Sequence, residues 1–273
     1  MALFVIISFV LGLIIGSFAN VFILRWGTGR SLSGRSGCPA CGHRLAWREL
    51  VPVVSFFVQR GRCRSCETRI SPHYVLVEIL FGALFASAAY AAFTPPVTAA
   101  SYVDAVFSFI VIFLLVSIAV YDFKHFIIPD GMVYAYLVVS FLWGSAGNGF
   151  ALVGAGMTLV SGIVVAFPLF FLWAVSKGRW MGFGDVKLAA GLGMMLGILG
   201  GGSALVFAVW LGALVSLAII AYGHVRTRMR ARFAGRKARF TMKSEIPFGP
   251  FLVAGTLFVF LTDITLFHII RMM

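Results

Sequence analysis

Charge is what this chain has least of, and acid least of all. Charged residues fill 11% of the 273 positions, and only nine are Asp or Glu. A soluble surface needs more charge than that, so a soluble globular class is excluded. Cysteine is scarce too: there are four, all within residues 38–66, so no disulfide framework runs through the chain. No G-x-G-x-x-G element is present, which leaves no dinucleotide-binding fingerprint. No internal repeat is visible either, as paired transporter halves would require.

Apolar sequence fills the gap. Apolar residues make up 61% of the chain, with 30 Gly and 28 Phe. Stretches of roughly 18 to 25 apolar residues recur, each able to cross a bilayer core of about 30 Å as a helix. Eight spans are expected, at 2–24, 74–93, 103–121, 132–147, 150–175, 186–202, 203–222 and 248–270. The fold class is therefore an all-α integral membrane protein of about eight helices. Breaks are marked by Thr94-Pro95-Pro96, Gly144 to Gly149, Gly200-Gly201-Gly202 and Pro247 to Pro250. The first span lacks a basic n-region and an A-x-A site, so it is read as retained and not as a signal peptide.

Basic residues are distributed unevenly. Of the 22 Lys and Arg, nine lie in 25–73, eight in 223–245, three in 176–187, and one is Lys124. Only Arg271 falls on the opposite side. The positive-inside rule makes those four loops cytoplasmic and places both termini outside. The net charge of +13 is thus explained by loops meeting anionic lipid, and nucleic acid is not an expected partner. The segment Arg226 to Lys243, followed by Glu245, is expected to be a solvated or lipid-facing loop.

The cysteines form two knuckles, Cys38-Pro39-Ala40-Cys41 and Cys63-Arg64-Ser65-Cys66. Two C-x-x-C pairs can present four thiolates to one tetrahedral Zn²⁺. A cytoplasmic loop is reducing, which disfavours disulfides. Four protein ligands close the site, so the metal is expected to be structural and to contribute to folding of the insert at 25–73.

So few acids can be taken one by one. Asp104, after Ser101, and Asp130, after Pro129, look like helix-capping residues. Glu49 and Glu67 fall in the cysteine loop, where solvation is the default. Asp122, Asp185 and Glu78 lie close to the cytoplasmic ends of spans, a costly depth that usually marks function. Two carboxylates brought together can hold one proton between them, leaving one base and one acid for activation of a water. In Gly182-Phe183-Gly184-Asp185 the glycines leave room for an extended peptide backbone. The alternative is that both aspartates merely end helices.

An ordered set of motifs then covers nearly the whole chain. It comprises Gly16-Ser17-Phe18-Ala19-Asn20-Val21, the two knuckles, Ile70-Ser71-Pro72-His73-Tyr74 leading to Val77-Glu78, Asp122 with Ile128-Pro129-Asp130, Gly182-Phe183-Gly184-Asp185 with Lys187-Leu188, and Pro247-Phe248-Gly249-Pro250-Phe251. In these motifs the chain resembles the type IV prepilin peptidases, or prepilin leader peptidase/N-methyltransferases. The resemblance implies cleavage of the basic leader of prepilins and pseudopilins at the cytoplasmic face of a bacterial inner membrane. Asp122 and Asp185 would be catalytic, with Gly182, Gly184 and Lys187 supporting substrate. N-methylation of the new terminus with S-adenosylmethionine would follow, with Asn20, Glu49 and Glu78 assigned to methyl transfer or its coupling. It divides the chain into a methyltransferase part, 1–93, and a peptidase domain, 100–273. The chain departs from the family pattern at Leu50, His73 and Val75. Rival readings are another G-x-G-D intramembrane protease and a proton-coupled transporter.

Overall fold

A computed structural model of the chain describes residues 1–28, 31, 34–148, 151–230, 247–266, 268 and 271, without the side chains of 222–230. The basic segment 226–243 and Glu245 therefore lie outside the described residues, apart from helical backbone up to Arg230. Among the described residues there is no strand. Two isolated antiparallel bridges, Gly37 with Arg44 and Arg62 with Arg69, are the only extended pairings.

The helices are α1 Ala2–Arg25, α2 Val54–Val58, α3 His73–Ala92, α4 Ala99–His125, α5 Asp130–Gly147, α6 Leu152–Ser176, α7 Phe183–Arg230 and α8 Gly249–Thr262, with a 3-10 turn at Trp47–Glu49. Five are long and apolar enough to cross a membrane: α1, α3, α4, α6 and the stretch Phe183–Ala221 of α7. The other two expected spans are weaker. α5 carries three glycines, two serines and Asp130 in 18 residues, and α8 has only 14 residues.

Three details differ from the sequence expectation. The break expected at Gly200-Gly201-Gly202 falls at Gly197, whose φ of 70° and ψ of −177° form a conformation open essentially to glycine alone, while the triplet stays helical. α8 stops at Thr262, where Asp263 turns left-handed at φ 53°, so the expected span to 270 is interrupted; Leu266, His268 and Arg271 are again helical. Asp104 and Asp130 do not cap helices. α4 starts at Ala99, so Asp104 is already inside it. Pro129 holds the N-cap position of α5, and Asp130 is its first residue.

The chain forms two compact units, Met1–Ser117 and Ile118–Met273, and the boundary falls inside α4. In the first, α1 packs along α3. Small residues permit this: a Cβ at Gly16 would lie 2.8 Å from the Glu78 Cα, and one at Gly12 would lie 2.6 Å from the Phe81 carbonyl oxygen. Without Cβ atoms the two backbones come close enough for dispersion to hold them where lipid provides no hydrophobic drive. Phe81, Phe85 and Ile23 are fully buried at this seam. In the second unit α7 is the hub, packed against α5, α6 and α8.

Candidate active site and cysteine centre

In the second unit, two helix ends deliver the acids. Asp122 sits in the last turn of α4, which ends at His125 where Phe126 turns left-handed at φ 56°. Asp185 is the third residue of α7. Both are buried, at 5% and 7% exposure, and they are near enough for their charges to interact. The Asp122 carboxylate accepts the backbone N–H of Gly249, the first residue of α8. A Cβ at Gly249 would lie 2.5 Å from Asp122 Oδ2, so only glycine lets α8 begin there. Among the described residues Asp185 Oδ1 is buried with no hydrogen-bond partner, an acceptor left for a further donor.

Ile128 sets the spacing between these segments. Its Cβ lies 2.8 Å from where a Cβ on Gly184 would be, and its Cδ1 lies 3.4 Å from the same point on Gly249. Gly184 is therefore used by the protein's own packing, which differs from the expectation of room for a substrate. Around Gly182 that room exists, since only the Gly184 nitrogen approaches within 4 Å, at 3.9 Å. Lys187 pairs with Asp130 and lies over the Tyr134 ring at 5.0 Å, so its ammonium is occupied inside this unit. Sequence reasoning missed Ile128 and Gly249 as positioning residues. The signal was present in Ile128-Pro129-Asp130 and Pro247-Phe248-Gly249-Pro250, motifs with no evident partner until the fold joined them.

In the first unit, each knuckle is a tight turn closed by backbone bonds. The Cys38 N–H donates to the His43 carbonyl at 2.9 Å and the Gly42 N–H to the Cys38 carbonyl at 2.9 Å; Cys63 with Thr68 and Glu67 with Cys63 repeat this at 3.0 Å. The residue after each second cysteine is left-handed, Gly42 at φ 72° and Glu67 at φ 55°. All four Sγ atoms lie within 4.8 Å of one another, and none is in a disulfide. Cys38 and Cys66 are 3.8 Å apart, and Cys41 and Cys63 are 4.0 Å apart. Edges of this length match a tetrahedron of thiolates about 2.3 Å from a central zinc ion.

Glu49 is not solvated, contrary to expectation. It is 8% exposed. Its Oε2 accepts the Ala46 N–H at 2.8 Å, with His43 Nε2 at 3.4 Å, and Arg64 Nε lies 3.9 Å from Oε1. The Ala46 N–H, more than the nearby His43 and Arg64 charges, holds its pKa below the usual carboxylate value. Asn20 and Glu78 are buried as well. Asn20 Nδ2 donates to the Tyr74 carbonyl at 3.1 Å, and Glu78 Oε2 accepts the Val53 N–H at 2.7 Å. All three face a cavity of about 1010 Å³ within this unit. Asn20, Glu49 and Glu78 are thus brought together around one space.

Comparison with known proteins follows the same division. Residues 10–92 match the bacterial peptidase A24 N-terminal domain, and residues 109–219 match the type IV leader peptidase family. A Burkholderia pseudomallei protein named prepilin leader peptidase/N-methyltransferase is 33% identical over 280 residues, covering 91% of this chain and 82% of its own length. A Bacillus subtilis protein of the same name is 30% identical over 260 residues, covering 93% of each chain. One from Myxococcus xanthus is 36% identical over 226 residues, covering 80% of this chain and 64% of its own. No solved structure matches. With relatives aligned along nearly its whole length and both domain types present in order, the chain belongs to the type IV leader peptidase family.

Proposed function

We propose that the chain is a membrane aspartyl endopeptidase that removes the basic leader from prepilins and pseudopilins and then methylates the new N-terminus. The observation that carries the peptidase half is the buried pair Asp122 and Asp185, in electrostatic contact, with Asp185 Oδ1 lacking a partner among the described residues. The ionised member takes a proton from a water whose oxygen adds to the scissile carbonyl carbon. The protonated member donates to the carbonyl oxygen. As the tetrahedral adduct collapses, the C–N bond breaks and its electron pair, with a proton from the dyad, leaves on the amine. The balance is peptide plus water giving a carboxylic acid and an amine. Gly249 holds Asp122 through its N–H, and the space at Gly182 suits an extended backbone.

For the metal, Cys38, Cys41, Cys63 and Cys66 would hold one Zn²⁺ as thiolates, with a structural role. Four protein ligands leave no open position for catalysis. S-adenosylmethionine would supply the methyl group, and Asn20, Glu49 and Glu78 mark the region where that half works. The protein is read as multi-pass in a bacterial inner membrane, with membrane lipid as its surroundings and the dyad near the cytoplasmic face. Dividing α7 at Gly197 makes eight apolar helical segments. An even number of crossings, with the four basic loops on one side, supports the reading that both termini face outside.

The test is incubation of the detergent-purified protein with a prepilin and S-adenosylmethionine, followed by intact-mass analysis. Loss of the leader mass and gain of one methyl on the mature chain are expected as separable steps. An uncut prepilin in the presence of well-folded protein overturns the peptidase reading.

A further inference from the structure

The cavity of the first unit has more structure than a gap between helices. It is walled by α1 and α3 on one side and by the cysteine insert on the other. Its volume of about 1010 Å³ is of the size that holds a drug-sized or nucleoside-sized ligand. Asn20 is 4% exposed, and its amide nitrogen is already engaged by the Tyr74 carbonyl. Its Oδ1, by contrast, is buried without a hydrogen-bond partner among the described residues. A buried amide oxygen with no donor is costly, so a site of this kind is completed by a donor that comes from elsewhere.

Glu78 stands on the facing helix, 8% exposed. The Val53 N–H donates to its Oε2 at 2.7 Å, which fixes the side chain. No ion pair reaches Glu78 among the described residues, whereas Glu49 on the same cavity has His43 and Arg64 beside it. The cavity, whose wall also carries Arg25, Arg35 and Arg69, therefore holds a carboxyl group with no ion pair and an amide oxygen with no donor among the described residues. Both would be served by a group that carries N–H bonds.

We infer that Asn20 and Glu78 form the recognition point for an ammonium group in this cavity, with Asn20 Oδ1 accepting one of its N–H bonds and the Glu78 carboxylate balancing its charge. This deepens the methyl-transfer reading and rests on it. An ammonium of this kind can come from the amino-acid end of the methyl donor or from the new N-terminus of the processed polypeptide. Both residues would act by binding and orientation.

Two variants test this: Glu78→Gln, which keeps an acceptor for the Val53 N–H but removes the charge, and Asn20→Ala. Asn20→Gln serves as the conservative variant, because its amide keeps both an oxygen acceptor and an N–H donor for the Tyr74 carbonyl. Zinc content and thermal stability of each purified protein report whether it folds. The measurements are the Kd for S-adenosylmethionine by titration calorimetry without peptide, and the KM for a leader-free pilin peptide in the methylation assay. If the methyl donor supplies the ammonium, Glu78→Gln and Asn20→Ala raise that Kd about tenfold or more, and Asn20→Gln raises it less than Asn20→Ala. If the polypeptide supplies it, the donor Kd stays put and the peptide KM rises by a similar factor. Folded variants with both constants unchanged overturn the inference while leaving methyl transfer intact. A wild-type protein that cleaves but neither binds the donor nor methylates overturns the methyl-transfer reading, and this inference with it.

Discussion

In residues 1–117 the cysteine centre stands on loops, whereas in residues 118–273 the paired aspartates stand on helix ends. The four cysteines sit in two knuckles whose Sγ atoms converge, and a metal held there, as proposed, would contribute to folding of the insert. Asp122 and Asp185 sit in the terminal turns of α4 and α7. They are fixed by packed helices, by the Ile128 wedge and by the Gly249 N–H. The difference teaches where each unit is vulnerable. The first should fail by losing an ion and its fold together, the second by losing one proton-carrying atom while its fold stands.

The largest effect should come from the dyad. Asp122→Asn or Asp185→Asn should cut the cleavage rate by at least about 10²–10⁴, the usual worth of general acid–base catalysis. The amide keeps the shape but cannot take the water's proton. Zinc content and membrane insertion should be unchanged. Retention of more than a few per cent of wild-type cleavage by a well-folded variant removes the dyad mechanism.

Next comes the ion. Elemental analysis should find one Zn²⁺ per chain, and Cys38→Ser combined with Cys63→Ser should release it. The insert should then become protease-sensitive, because binding energy at a closed site is also folding energy. Brief chelator treatment of the wild type should leave cleavage intact. Rapid inhibition by a chelator would contradict the structural role.

A smaller effect separates positioning from chemistry. Gly249→Ala puts a Cβ against Asp122 Oδ2, so the start of α8 or the carboxylate must shift. A misplacement of about 1 Å can cost roughly 10²-fold in rate, so cleavage should fall by about 10- to 100-fold. Gly202→Ala is the control, since nothing lies within 4 Å of its added Cβ. Equal rates for the two variants would show that the Gly249 contact is idle.

The smallest effect is expected at the surface of the same unit. Asp130→Asn breaks the pair with Lys187, but the Asp130 side chain is 64% exposed. An exposed pair contributes about 0–1 kcal/mol, so the melting temperature should move little and cleavage should stay near wild type. A loss comparable to that of Asp122→Asn would mean that the wrong member of the Asp122/Asp130 stretch has been called catalytic.

Legibility followed the same line between local and distant. The two knuckles could be read because C-x-x-C is a local device and its turn closes within six residues, as the Cys38–His43 and Cys63–Thr68 bonds do. Glu49 was misjudged because its partner Arg64 comes from the other knuckle and its burial depends on the folded insert. Asp130 was misjudged for a similar reason: its partner lies 57 residues away. The kink of α7 went to the wrong glycine because several glycines compete within 197–202, and only one adopts the non-helical conformation.

By itself the sequence determined the class of protein, its apolar helical stretches, its two C-x-x-C knuckles and the family. Hydropathy, charge asymmetry and short motifs are properties of neighbouring residues, so they survive in one dimension. The tertiary structure alone decided that Gly249 and Ile128 close on the aspartates, that Glu49 is buried, and that Asn20 and Glu78 face one cavity with an acceptor left over. Those contacts join residues tens of positions apart, Asn20 and Tyr74 being separated by 54. Which buried polar atom finds a partner depends on packing in three dimensions, which no local spacing records.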